Sequence, residues 1–117
     1  MAPASSGSTV RRAGGLILPG GTYDPKQDRT YHDTARRECQ EETGITPYNL
    51  RYIWSGPDGG EYITFAFEAD WCEGTPMETP EGTPQIVTWR DLCTSHFAAY
   101  YNVLHQVYER TRCRCST

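Results

Sequence analysis

One segment constrains this chain more than any other: Arg37-Glu38-Cys39-Gln40-Glu41-Glu42-Thr43-Gly44. Read as a helix, it sets Glu38 and Glu42 one turn apart, with Glu41 a step around beside them. Like charges at that spacing destabilise an isolated helix by roughly 0.2–0.5 kcal/mol. Carboxylates in the last turn also oppose the helix dipole, at about 0.3–1 kcal/mol each before screening. Arg37, four residues before Glu41, offsets part of this. A divalent cation would turn the remaining repulsion into coordination, because hard cations take carboxylate oxygens. Gly20-Gly21 upstream and Gly44 downstream let backbone come close to a ligand, where a free carbonyl can join a metal shell.

The flanking sequence gives this segment a frame. Leu16-Ile17-Leu18 reads as a strand that enters a loop at Pro19-Gly20-Gly21, and the loop runs through Asp24-Pro25 to about Asp28. Thr30 is the expected cap of a helix over roughly Tyr31 to Thr43, with Asp33 three residues on, Gly44 closing it and Pro47 as a stop beyond. Leu50–Trp54 and Glu61–Asp70 read as a hairpin around the Gly56–Gly60 turn. In its second strand Ile63, Phe65, Phe67 and Ala69 alternate with Tyr62, Thr64, Ala66 and Glu68. Residues 71–84 hold Gly74, Pro76, Pro80, Gly82 and Pro84, so a long loop is expected there. Gln85–Trp89 returns as a strand. Ser95 then caps a final helix to about Arg110, with Phe97, Tyr101, Leu104 and Tyr108 facing the sheet.

These elements predict one α/β (α+β) domain over residues 10–110, between a disordered arm at 1–9 and a flexible tail at 111–117. A chain of 13.2 kDa has room for one core. The net charge of −4 argues against a protein that coats nucleic acid. No run approaches the roughly 18 apolar residues that span a bilayer, and the first residues lack the charged start and apolar stretch of a secretory signal. Five cysteines, an odd number without framework spacing, fit a reducing compartment. The expected setting is cytoplasmic, with neither membrane nor nucleic-acid polymer as partner.

Gly20-Gly21 followed by Arg37-Glu38-Cys39-Gln40-Glu41-Glu42-Thr43-Gly44-Ile45 resembles the signature box of the Nudix hydrolases, G-x5-E-x7-R-E-U-x-E-E-x-G-U, where U is a bulky apolar residue. The second half matches at every fixed charged or glycine position, with Cys39 standing in for the apolar one. The resemblance implies a mixed β-sheet between helices and hydrolysis at phosphorus in a nucleoside diphosphate linked to another group, assisted by Mg2+ with Mn2+ as a substitute. It implies that Glu38, Glu41, Glu42 and the Gly21 carbonyl hold metal, that one carboxylate takes a proton from the attacking water, and that Arg37 holds the carboxylates in place. Pro80-Glu81-Gly82-Thr83-Pro84 resembles a loop that presents one further catalytic glutamate, Glu81, with Glu78 in reserve.

Two departures accompany the resemblance. The mid-box glutamate falls at Arg29, because Gly21 to Arg37 is two residues longer than the pattern. Asp28 is the neighbour that could replace it, while Arg29 could contact phosphate. Only 18 residues precede Pro19, so the first strand or hairpin is expected to be lacking, and a homodimer would cover the exposed sheet edge. Tyr23 and Trp54 are candidates to stack on a base beside Arg29. A small nucleotide such as an NTP, a dNTP or an ADP-ribose-type compound is the expected substrate. The rival reading is a catalytically inactive Nudix-like module that binds a nucleotide or a protein.

Overall fold

Thr30 starts the helix that carries the carboxylates. Its hydroxyl accepts from the Asp33 amide at 3.2 Å, which satisfies an otherwise orphaned donor of the first turn. The helix, α1, spans Tyr31–Thr43 without an internal glycine or proline, and Gly44 closes it at φ 80° with its amide on the Gln40 carbonyl. A Cβ at Gly44 would also meet the Thr75 carbonyl at 3.0 Å, so backbone shape and crowding both require glycine there. Cap, extent and stop agree with the sequence expectation.

The chain is described by a computed structural model covering residues 6–12, 15–57, 62–80, 82–95 and 97–115. Among these residues, strands β1 (Ser6–Arg12), β2 (Gly15–Ile17), β3 (Thr46–Tyr48), β4 (Arg51–Pro57), β5 (Ile63–Glu68), β6 (Trp71–Glu73) and β7 (Thr83–Thr88) join α1, α2 (Trp89–Cys93) and α3 (Ala98–Cys115). The architecture is mixed α+β. Three small sheets run β2-β1-β7, β3-β6 and β4-β5, and every pair is antiparallel. No helix among the described residues is long and apolar enough to cross a membrane.

The core lies under α3. Tyr100, Tyr101, Leu104 and Tyr108 are buried along one stripe of that helix, and the first three pack with Leu16, Val87 and Leu92. The Tyr101 hydroxyl accepts from the Leu18 amide at 3.0 Å, so α3 also anchors the strand that leads into Gly20-Gly21. By contrast, the residues that α1 buries are Thr34, Glu42 and Thr43. This helix is seated by polar contacts, and a hydrophobic stripe does not locate it.

Several expectations are corrected. Residues 6–9 are not an irregular arm: they belong to β1, which pairs with β7 from Ser6↔Thr88 to Arg11↔Thr83. The first hairpin is therefore present in shortened form as β1–β2, with Val10↔Ile17 in register. Helix α3 continues through Cys115, where a flexible tail from 111 was expected. Trp71–Glu73, read as loop, instead pairs as β6 with Thr46–Tyr48 (β3), just beyond the end of α1. A strand of three residues is too short to show an alternating pattern, which hides both from periodicity.

The β4–β5 pair forms as expected but with an unexpected orientation. Ala66 and Trp54 pack against the core, while Ile63 and Phe65 on the other face are exposed. The more apolar face of β5 points away from the core.

Gly44→Ala is expected to lower unfolding free energy by about 1–2 kcal/mol, the cost of a left-handed non-glycine residue. Urea denaturation of the two proteins measures this, and equal midpoints would contradict the cap assignment.

Candidate active site

Arg37 is the centre of the polar cluster. Its Nε and Nη2 donate to Oδ1 and Oδ2 of Asp28, each at 2.9 Å, in the bidentate geometry that a planar guanidinium favours. Its Nη1 donates to Oε1 of Glu38 at 2.9 Å and reaches Glu41 at 3.3 Å. Nη2 also donates to the Thr22 carbonyl at 3.3 Å. One side chain thus joins the loop after Gly21, the aspartate before the helix and two carboxylates on the helix.

Asp28 answers the question left open by the extra two residues. The added chain folds into a tight turn in which the Gln27 and Asp28 amides donate to the Asp24 carbonyl. The Asp24 side chain accepts from the Lys26 amide and the Gln27 side chain, which fixes that turn. Asp28 is thereby buried against α1, where Oδ2 also accepts from the Thr34 hydroxyl and the Asp24 amide, each at 2.9 Å. Hydrogen bonds from Arg37 hold the Asp28 carboxyl well below the usual carboxylate range, and the same pair raises the Arg37 guanidinium above its ordinary value. Arg29 takes no part: its side chain is 94 % exposed and meets Asp33 only at 3.8 Å.

Glu42 faces inward. It is 2 % exposed and accepts from the Gly20 amide at 3.2 Å. Glu38 lies over Gly21 so closely that a Cβ there would overlap its carboxylate. Glu38 therefore requires glycine at 21, whereas at 20 a Cβ would meet nothing within 4 Å and Glu42 bonds only the backbone amide. Glu41 is the most exposed of the three. Among the described residues no three His, Cys, Asp or Glu side chains form a ready cage for a metal ion. The donors offered are nonetheless hard oxygens, and the Gly21 cradle brings backbone within reach of Glu38, which suits a cation of the Mg2+ type.

The 74–82 loop docks at the carboxylate end of α1. The Met77 amide donates to the Thr43 carbonyl at 2.8 Å, and the Thr79 hydroxyl to the Glu42 carbonyl at 3.2 Å. Thr79 and Gly82 exchange backbone hydrogen bonds. Glu81 lies outside the described residues. Glu78 is exposed and accepts from Thr83 at 3.4 Å. Burial pushes the thiol of Cys39, inside the box, up to about 11, which favours the uncharged thiol over the nucleophilic thiolate.

Beside the carboxylates, Tyr23, Arg29, Thr30, Tyr31, His32, Tyr52, Phe65 and Phe67 line an open groove of about 520 Å³. Tyr23 and Arg29 thus line the same groove. Trp54 does not join them: its ring packs against Tyr100 beside the core. Sequence reasoning missed Tyr31, Tyr52, Phe65 and Phe67, whose alternation and helix position could have signalled either core or groove.

The family model of the NUDIX domain matches residues 8–107, most of the chain. This protein belongs to the Nudix family. Solved structures agree on the fold. The chain is similar to a MutT protein from Bacillus halodurans, at 23 % identity over 89 % of this chain and 74 % of that one, with a TM-score of 0.71. It is also similar to a structure from a study of MutT from Aliivibrio salmonicida and Vibrio cholerae, at 23 % identity, 91 % and 87 % coverage and a TM-score of 0.68. A third likeness is to the Escherichia coli ORF135 protein, at 16 % identity, 95 % and 84 % coverage and a TM-score of 0.71. No curated protein sequence gives a significant match. Within the Nudix box, this chain departs at the middle glutamate, and Asp28 is the carboxylate that lies against Arg37.

The depressed Asp28 carboxyl sets a direction for acid stability. A carboxylate held down in the folded state contributes stability above its unfolded value, near 3.8, and loses it as pH falls toward the folded value. Between about pH 5 and pH 2, the parent should therefore lose an increment that Asp28→Asn never had, and their urea midpoints should converge. Parallel curves would contradict the pairing. Arg37→Lys should weaken the fold at neutral pH, because an ammonium cannot reproduce the fork.

Proposed function

We propose that this Nudix protein hydrolyses a pyrophosphate bond in a nucleoside diphosphate linked to another group, with a small nucleotide as substrate: an NTP or dNTP, or an ADP-ribose-type compound. The observation that carries this reading is the order imposed on the carboxylates: Arg37 gathers Glu38 and Glu41 while Gly20 and Gly21 seat Glu42 and Glu38. Two glycines and four charged side chains cooperate in a geometry that an isolated helix would resist.

Glu38, Glu41, Glu42 and the Gly21 carbonyl would hold Mg2+, or Mn2+ in its place. A cation held there would supply Lewis-acid polarisation of a phosphoryl oxygen and acidify a water. Arg37 keeps the carboxylates from rotating away and neutralises part of their mutual repulsion. A carboxylate of the group takes the proton as the water oxygen bonds to phosphorus, the bridging P–O bond breaks and the leaving phosphate departs with that electron pair. Glu81, or Glu78 in reserve, is assigned to the same task from the loop that docks on the Glu42 and Thr43 carbonyls. Homodimerisation over an exposed sheet edge is a separate expectation, read by sedimentation.

One observation favours a second reading. Arg37 already engages Glu38 and Glu41, and no ready cage is formed among the described residues. A module that binds a nucleotide without turnover would look the same.

The test is release of phosphate and pyrophosphate from a panel of nucleotides with Mg2+ or Mn2+, beside a Glu41→Gln/Glu42→Gln double variant. Turnover by the parent, abolished by chelator and reduced about 10²–10³-fold or more in the variant, is expected. Nucleotide binding without turnover of any compound would select the binding module.

A further inference from the structure

Side chains, and not a sheet, hold the chain where it enters the candidate metal site. The β1–β2 ladder ends at Val10↔Ile17, one residue before Leu18. Among the described residues, the segment from Leu18 to Thr22 belongs to no strand. Three side chains tether it. The Leu18 amide donates to the Tyr101 hydroxyl at 3.0 Å, and the Gly20 amide donates to Oε2 of Glu42 at 3.2 Å. The Thr22 carbonyl accepts from Nη2 of Arg37 at 3.3 Å. The last two tethers end on charged residues of the site. The first ends on a neutral phenol of α3, outside it.

Tyr101 is a fixed point. It is 4 % exposed, within the core cluster that includes Leu16, Val87, Leu92 and Leu104. Phe97 and Tyr100 meet its ring edge-on, with centroids 6.4 and 5.6 Å away. A phenylalanine would fill nearly the same space without the cost of desolvating a hydroxyl. The bond to Leu18 offsets that cost and gives the oxygen a task that packing does not.

The path from this bond to the site is short. Gly21 lies three residues beyond Leu18, at most about 3.3–3.6 Å of chain for each. Between them Pro19 holds its φ at about −65°, which stiffens the connection. Glu38 fills the space where a Gly21 side chain would stand, so a shift of this segment reaches the carboxylates directly.

We propose that Tyr101 is a positioning residue for the candidate metal site: its hydroxyl fixes the Leu18 amide and, through Pro19, sets where Gly20 and Gly21 meet Glu42 and Glu38. The core helix thereby controls the site without touching it. Tyr101 bonds none of the site carboxylates in this tether, so its grip does not depend on whether those oxygens engage a cation. Its effect on metal and turnover rests on the hydrolase reading above; its effect on the backbone does not.

The test compares Tyr101→Phe with Tyr108→Phe, which removes a hydroxyl from the same buried stripe of α3. Amide hydrogen exchange, read by NMR on the metal-free proteins, comes first. The parent should protect the Leu18 and Gly20 amides. Tyr101→Phe should speed exchange at both by about tenfold or more beyond any change at Val87 and Leu104. Tyr108→Phe should produce no such excess. Mn2+ affinity should fall about tenfold in Tyr101→Phe and hold in Tyr108→Phe, and kcat should fall while KM stays within about twofold. An even rise in exchange, Val87 and Leu104 included, would reduce Tyr101 to a packing residue and overturn the proposal. Faster exchange confined to Leu18, or a Leu18 amide that exchanges freely in the parent, would overturn it too. A parent that binds no Mn2+, yet loses Gly20 protection in Tyr101→Phe, would remove the metal-dependent hydrolase and leave the tether standing.

Discussion

The Asp28–Arg37 ion pair is the contact on which the candidate site depends. Helix α1 brings no apolar stripe to the core, so its seat is set by polar bonds, and the bidentate pair is the central one. It ties the turn before the helix to the middle of the helix. Through the remaining donors of the same guanidinium it reaches Glu38, Glu41 and the Thr22 carbonyl. A buried ion pair need not add net stability over an apolar substitute, but removing one partner leaves an uncompensated charge. The pair therefore fixes geometry more surely than it raises stability.

The same geometry explains Gly21. Glu42 accepts from the Gly20 amide and Glu38 fills the space of a Gly21 side chain. At the other end, Gly44 turns the chain away in a left-handed conformation, and the loop through Met77 and Thr79 closes on the last carbonyls of α1. Loop, helix and second loop are thus joined by backbone groups, and α3 reaches the first of them through the Tyr101 hydroxyl.

What the sequence disclosed follows from which signals are local. Caps, glycines and charged spacing act within a turn or two, so Thr30, Gly44 and the Arg37 to Glu42 cluster were legible without a structure. The three-residue strands β3 and β6 were not, because they owe their form to pairing with each other. β1 was missed because small polar residues carry no alternating pattern, yet their backbone pairs with β7 along six positions. In the site, spacing put Arg29 at the position of the middle glutamate, with Asp28 as its neighbour. Only the turn at Asp24 decides between them, by burying one and leaving the other in solvent. Trp54 looked like a base-stacking ring because sequence cannot give the face of a half-buried strand, and β5 turned its phenyl rings outward instead.

The most direct test of this account is Mn2+ affinity by electron paramagnetic resonance, comparing the parent with Asp28→Asn. The substitution leaves Glu38, Glu41, Glu42 and Gly21 untouched and removes the charge, and one of the two acceptor oxygens, that hold Arg37. If the ion pair organises the carboxylates, affinity should fall by about 10–100-fold, as for other residues that orient metal ligands. Equal affinity in the two proteins would contradict the claim that Asp28 and Arg37 set the site.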